Sequence, residues 1–108
     1  MLRPFVRLCI ISVLASGAMC SAQGAGADTY KSKCQMCHAA DGSGSTPAGK
    51  STKAVPFSAP DIVSKSDADL VAITKNGKGK MPAYAGKLTD AQITDVVAHI
   101  RTLQKEID

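Results

Sequence analysis

The chain has 108 residues, 44% of them hydrophobic and 20% charged, with four cysteines, no tryptophan and a formal net charge of +4. This length allows one domain and excludes a two-lobed nucleotide-binding enzyme or a barrel. A mean hydropathy of +0.01 excludes a multi-span membrane protein, and the supply of aliphatic side chains argues against disorder.

The N-terminal stretch reads as a secretory signal peptide. Arg3 and Arg7 give a basic start, Leu8 to Leu14 form an apolar run broken only by Ser12, and small residues dominate from Ala15 to Ala27. The run falls far short of the ~20 residues that span a bilayer, so stable membrane insertion is not expected. We read residues 1–22 as the leader and 23–108 as one domain. The cut could extend to 27, because Ala22, Gly24 and Ala27 each end a small-x-small triplet. Export to the periplasm or beyond follows. Lipid anchoring through Cys20 is disfavoured, since Gly17-Ala18-Met19 is a poor lipobox.

Cys9 and Cys20 leave with this leader, so Cys34 and Cys37 are the two cysteines that remain. The remaining chain is short of large apolar side chains for a self-sufficient core, and domains of this size usually need a staple. A helix is expected from about Asp28, as N-cap, into the segment Cys34-Gln35-Met36-Cys37-His38.

That segment is the C-x-x-C-H signature of c-type haem attachment. Thiols one helical turn apart can each add to one vinyl group on an edge of the haem, and the next residue presents imidazole to the iron. A thioredoxin-like redox pair would need a preceding strand and a βαβ context, which the sequence lacks. A structural zinc site would need two more Cys or His ligands, and His99 is the only other histidine. Cys34 and Cys37 are therefore expected to form thioethers to one haem c, with His38 as an axial iron ligand.

From His38 to Asp61 the chain is rich in Gly, Ser, Ala, Pro and Lys, and is expected to be a long ordered loop over the haem. A second helix is expected over Ser66 to Asn76, opened by the capping box Ser66-Asp67-Ala68-Asp69 and closed by Asn76-Gly77. Leu70, Val71 and Ile73 give its apolar face. In the following Asn76–Pro82 segment, Pro82 pushes Met81 toward an extended backbone. Met81 is the expected second axial ligand. Met36 lies within the attachment loop, and Met1 and Met19 leave with the leader. The last helix opens with the capping box Thr89-Asp90-Ala91-Gln92 and the staple pair Leu88 and Ile93. Ile93, Val96, Val97, Ile100, Leu103 and Ile107 recur along it at helical spacing, and His99 is read as a packing residue.

On the attachment segment, the Gly77–Tyr84 loop around Met81-Pro82 and the final helix, the sequence resembles the class I cytochromes c of the small single-haem bacterial kind. The resemblance implies an all-α fold of about three to five helices wrapped around one covalent haem, with no significant sheet. It implies a close crossing of the first and last helices, with Gly26 and Tyr30 at the family's glycine and aromatic positions. It also implies that the Pro60 carbonyl accepts the Nδ1 proton of His38. His99 departs from the family, which usually has Tyr or Phe there.

His/Met ligation leaves no open iron position, so the expected function is a soluble, monomeric one-electron carrier and not an enzyme. Its partners would be membrane respiratory or photosynthetic complexes or periplasmic redox enzymes. The alternatives are a haem subunit of a larger oxidase or dehydrogenase, and a haem peroxidase or gas-binding protein with an open site. Lys75, Lys78, Lys80 and Lys87 flank the Met81 loop and offer a docking charge, whereas nothing in the sequence suggests nucleic acid.

Overall fold

The computed structural model describes residues 17–107, with side chains over 24–105. The basic start and apolar run of the expected leader lie outside the described residues. Six helices occur among those described: α1 (Gly17–Lys33), α2 (Gln35–His38), α3 (Pro47–Thr52), α4 (Pro60–Val63), α5 (Asp67–Asn76) and α6 (Asp90–Ile107). Extended pairing within this range is limited to isolated bridges, Lys78 with Met81 and Ala85 with Leu88. None of these helices is long and apolar enough to cross a membrane.

The first helix begins earlier than its expected start. Asp28 lies inside α1 and does not cap it. The stretch before it carries Ala18, Ala22, Ala25 and Ala27, and alanine is the strongest helix former. The helix breaks at Cys34, where α2 starts as a separate turn.

The principal packing is α1 against α6. Gly26 is buried at that crossing, and a Cβ there would run into the Asp95 carbonyl. Backbone approaches backbone at this point, so only glycine fits. The core next to the crossing contains Tyr30, Cys34, Phe57, Val96, Ile100 and Leu103. The apolar stripe of α6 supplies three of these, and Ile93 and Val97 are buried on the same helix.

Caps at two helix starts follow the sequence reading. The Thr89 hydroxyl accepts from Gln92 N–H at 3.1 Å, and Thr89 N–H donates to the Gln92 side-chain oxygen at 2.8 Å. Leu88 and Ile93 are both buried, as a staple requires. At α5 the Ser66 hydroxyl accepts from Asp69 N–H at 3.0 Å. Arg101 then ties α6 to the α4–α5 connection. It donates from Nε to Asp67 Oδ1 at 2.8 Å and from its terminal nitrogens to the carbonyls of Lys65 and Val63.

The expected loop between His38 and Asp61 contains the short helix α3 and runs into the start of α4. α3 forms because the Thr46 hydroxyl accepts from Gly49 N–H at 2.9 Å and also donates to the Met36 carbonyl at 2.6 Å. Pro47 then starts the helix, where its missing N–H costs nothing. A Cβ on Gly49 would meet the Cys37 carbonyl, so α3 sits directly on the attachment segment.

Candidate functional site

The two helices that cross also set the position of the C-x-x-C-H segment. Cys34 N–H donates to the Tyr30 carbonyl at 2.9 Å, which continues the α1 hydrogen-bonding pattern to the first cysteine. His38 N–H donates to the Cys34 carbonyl at 3.0 Å. Immediately after it, Ala39 turns the chain with φ 69° and ψ 163°, a conformation essentially reserved for glycine. The buried Tyr30 hydroxyl donates to the Ala39 carbonyl at 2.5 Å and holds that turn.

The Met81 loop is shaped by glycines and by Pro82. Gly77 has φ +78° and Gly79 has φ +58°. Lys78 and Met81 pair reciprocally, with N–H to carbonyl distances of 3.1 and 3.0 Å. A Cβ at Gly77 would lie 2.7 Å from the Met81 carbonyl, so the loop can close only on glycine. Tyr84 anchors the loop to α1 by donating its hydroxyl to the Lys33 carbonyl at 2.9 Å.

These arrangements converge on one cavity of about 360 Å³. Cys34, Cys37, His38 and Met81 all line it, although 43 positions separate His38 from Met81 in the numbering. Val55, Phe57, Ile62, Leu70, Ile73 and Ile100 supply apolar walls, and Pro82 and Tyr84 stand beside Met81. Such a volume lies within the range of ~300–1,000 Å³ typical of ligand and cofactor pockets.

Both thiols are free; Cys34 is buried and Cys37 half-buried. Burial pushes the Cys34 thiol up to about 11, and the neighbouring Cys37 adds to the rise. The helix α1, and not a strand, leads into Cys34, which speaks against a thioredoxin-like pair. Burial lowers the pKa of His38, which favours the neutral imidazole whose lone pair binds iron. Two thiols, a neutral imidazole and a thioether around one apolar cavity fit haem c, with Cys34 and Cys37 to anchor it and His38 and Met81 to hold the iron.

The hydrogen bond that the resemblance implies, from His38 Nδ1 to the Pro60 carbonyl, is not formed among the described residues. Pro60 is the first residue of α4, and its carbonyl accepts from Ser64 N–H at 3.0 Å. His38 Nδ1 is buried with no hydrogen-bond partner. The His38 ring stacks on Phe57, with ring centroids 4.7 Å apart and planes 24° apart.

Sequence reasoning missed Phe57, Thr46 and Gln104. Phe57 stands in a Pro- and Ser-rich stretch without periodicity, so nothing local marks it. His99 packs its ring 5.0 Å from Tyr30, in keeping with a packing role. The basic cluster also differs in membership. Lys75 pairs with Asp90 at 3.1 Å, and Lys87 lies over the Tyr84 ring at 5.8 Å. The lysines lining the cavity are Lys33, Lys53, Lys65, Lys78 and Lys80, and no carboxylate lines it with them.

An all-α chain with C-x-x-C-H on one wall of an apolar cavity and a loop methionine in the same lining defines a small class I cytochrome c. The family profile described as "Cytochrome C oxidase, cbb3-type, subunit III" matches residues 21–100. The chain is 31% identical over 105 residues to cytochrome c6 of Thermosynechococcus vestitus, covering 93% of this chain and 91% of that protein. It is 36% identical over 78 residues to cytochrome c6 of Leptolyngbya boryana (70% and 86% covered), and 36% identical over 75 residues to that of Synechococcus elongatus (69% and 83% covered). The chain belongs to the cytochrome c family as a small monohaem class I member, and members of this family carry one covalently attached haem c.

Proposed function

We infer that the chain is an exported one-electron carrier, made with a leader over residues 1–22 and working as a single domain over 23–108. The convergence of Cys34, Cys37, His38 and Met81 on one cavity carries this reading. Cys34 and Cys37 anchor the haem through thioethers, and His38 and Met81 occupy the two axial positions. When bound, the group supplies a reversible one-electron change at iron. With both axial positions filled by protein, no site remains for a substrate, so electron transfer and not catalysis is the expected activity. The apolar walls exclude water and favour the less charged, reduced state. The lysines around the cavity give its mouth a positive potential, which suits acidic redox partners.

Voltammetry of the purified holoprotein tests this. A single reversible one-electron couple, with no carbon monoxide binding to the reduced protein, is expected. Ready binding of carbon monoxide would contradict it and favour an open-site haem protein.

A second reading has its own support. The matching family profile is that of an oxidase subunit, so the chain could serve as a haem subunit of a larger complex. Gel filtration of the native periplasmic and detergent extracts separates the two. A free carrier elutes as a monomer in the periplasmic fraction, whereas a subunit stays with the membrane complex.

A further inference from the structure

The loop that carries Met81 is held by hydrogen bonds and not by a core of its own. Thr74 before it and Leu88 after it are buried, and no side chain between them is buried against protein. Its backbone bonds run to α5 or stay within the loop. Tyr84 N–H donates to the Thr74 carbonyl at 3.0 Å and Ala85 N–H to the Lys75 carbonyl at 3.1 Å, while Lys78 and Met81 pair with each other. None of these bonds reaches the segment that carries Cys34, Cys37 and His38.

The bond that does so comes from a side chain. The Tyr84 hydroxyl donates to the Lys33 carbonyl at 2.9 Å, across 51 positions. The acceptor is the last residue of α1, next to Cys34. The helix break there leaves this carbonyl without its helical donor, because Cys37 N–H turns to the Cys34 carbonyl at 3.2 Å. Among the described residues, the Tyr84 bond is the one hydrogen bond between the Met81 loop and the segment from Lys33 to His38. Tyr84 also lines the same cavity as Met81.

A thioether is a neutral, weak donor, so its hold on a metal depends on how well the protein keeps it in place. We propose that Tyr84 is the positioning residue that keeps Met81 on the iron, its hydroxyl latching the methionine loop to the end of α1 from which the haem anchor starts. This rests on the reading of Met81 as an axial ligand of haem c. Without the latch the loop stays tied to α5 alone, and an outside ligand displaces Met81 more readily. The crossing of α1 and α6 does not depend on the latch, because it is made where Gly26 meets the Asp95 backbone.

Imidazole titration of the oxidised holoprotein tests this, with loss of the weak far-red sulfur–iron band as the readout. Tyr84→Phe keeps the ring and removes only the hydroxyl. Imidazole should abolish the band at a concentration roughly 2- to 10-fold lower than in the wild type, the equilibrium equivalent of one net hydrogen bond. Ser32→Ala is the control, since it removes a hydroxyl-to-carbonyl bond of 3.2 Å within α1 that does not touch the loop. It should titrate as the wild type does. Equal imidazole affinity in Tyr84→Phe and the wild type would overturn the proposal, as would an equal gain in Ser32→Ala. In nuclear magnetic resonance of the reduced wild type, Tyr84 ring protons should show through-space contacts to the backbone protons of Lys33 and Cys34. Their absence would also overturn it, and this measurement decides the matter if Tyr84→Phe does not accumulate. A wild type without the far-red band would instead remove the reading of Met81 as a ligand. Failure of the latch alone leaves that band in place.

Discussion

Replacing Gly26 by alanine adds one methyl group at the point where α1 and α6 cross. That methyl would meet the Asp95 carbonyl carbon at 2.9 Å, with the carbonyl oxygen closer still. Both partners are helix backbone, so neither can rotate away as a side chain would. Relief requires the helices to separate, and Tyr30, Val96 and Ile100 in the adjoining core would lose contact with one another. Overpacking of this kind costs about 1–3 kcal/mol, and the rigid partner points to the upper half. Alanine returns roughly 0.5–1 kcal/mol through its better helix propensity. The net loss is about 1–2.5 kcal/mol, or a fall in Tm of roughly 4–20 °C for a domain of this size. Thermal unfolding of the holoprotein, followed by helical circular dichroism, measures this. Gly24→Ala is the control, since nothing lies within 4 Å of its added Cβ. It should be neutral or slightly stabilising. A Gly26→Ala protein as stable as the wild type would refute the close-crossing argument.

Ala39 holds φ 69° and ψ 163°, so Ala39→Gly should stabilise the protein by about 1 kcal/mol by relieving backbone strain, measured by denaturant unfolding. An unchanged midpoint would mean that the turn is not strained. Bonding to Ser43 holds the Asp41 carboxyl below its ordinary pKa. Its contribution to stability is then full above the unfolded value near ~3.9 and is lost as pH falls through the lower folded value. The stability difference between wild type and Asp41→Ala should accordingly be larger at neutral pH than in acid, and a pH-independent difference would count against that bond. Electron transfer to an anionic partner protein should slow as salt is raised, and Lys78→Glu with Lys80→Glu should flatten that dependence. A salt-independent wild-type rate would remove the docking role of these lysines.

The parts of the fold that could be read in advance are those specified locally. The Thr89–Gln92 box, the Ser66 cap and the stripe from Ile93 to Leu103 each lie within a few turns of one helix, and each forms. The resemblance placed Gly26 at the helix crossing, and it is buried there. What the sequence does not display is structure created by tertiary contact. Pro47–Thr52 has no apolar stripe, and its helix depends on Thr46 reaching the Met36 carbonyl ten residues away. Phe57 reaches His38 only because the chain folds back over the attachment segment and Gln104 meets its carbonyl from α6. The Ala59-Pro60-Asp61 motif starts a helical turn that its local sequence does not announce, with the Pro60 carbonyl accepting from Ser64 N–H.

The central claim is that His38 and Met81 hold one haem from opposite sides of this cavity. The visible and far-red spectrum of the oxidised holoprotein, beside that of Met81→Ala, tests it most directly. The account predicts sharp low-spin haem c bands with a weak far-red sulfur–iron band in the wild type, and loss of that far-red band in Met81→Ala. A high-spin wild-type spectrum, or a far-red band that survives in Met81→Ala, would contradict it.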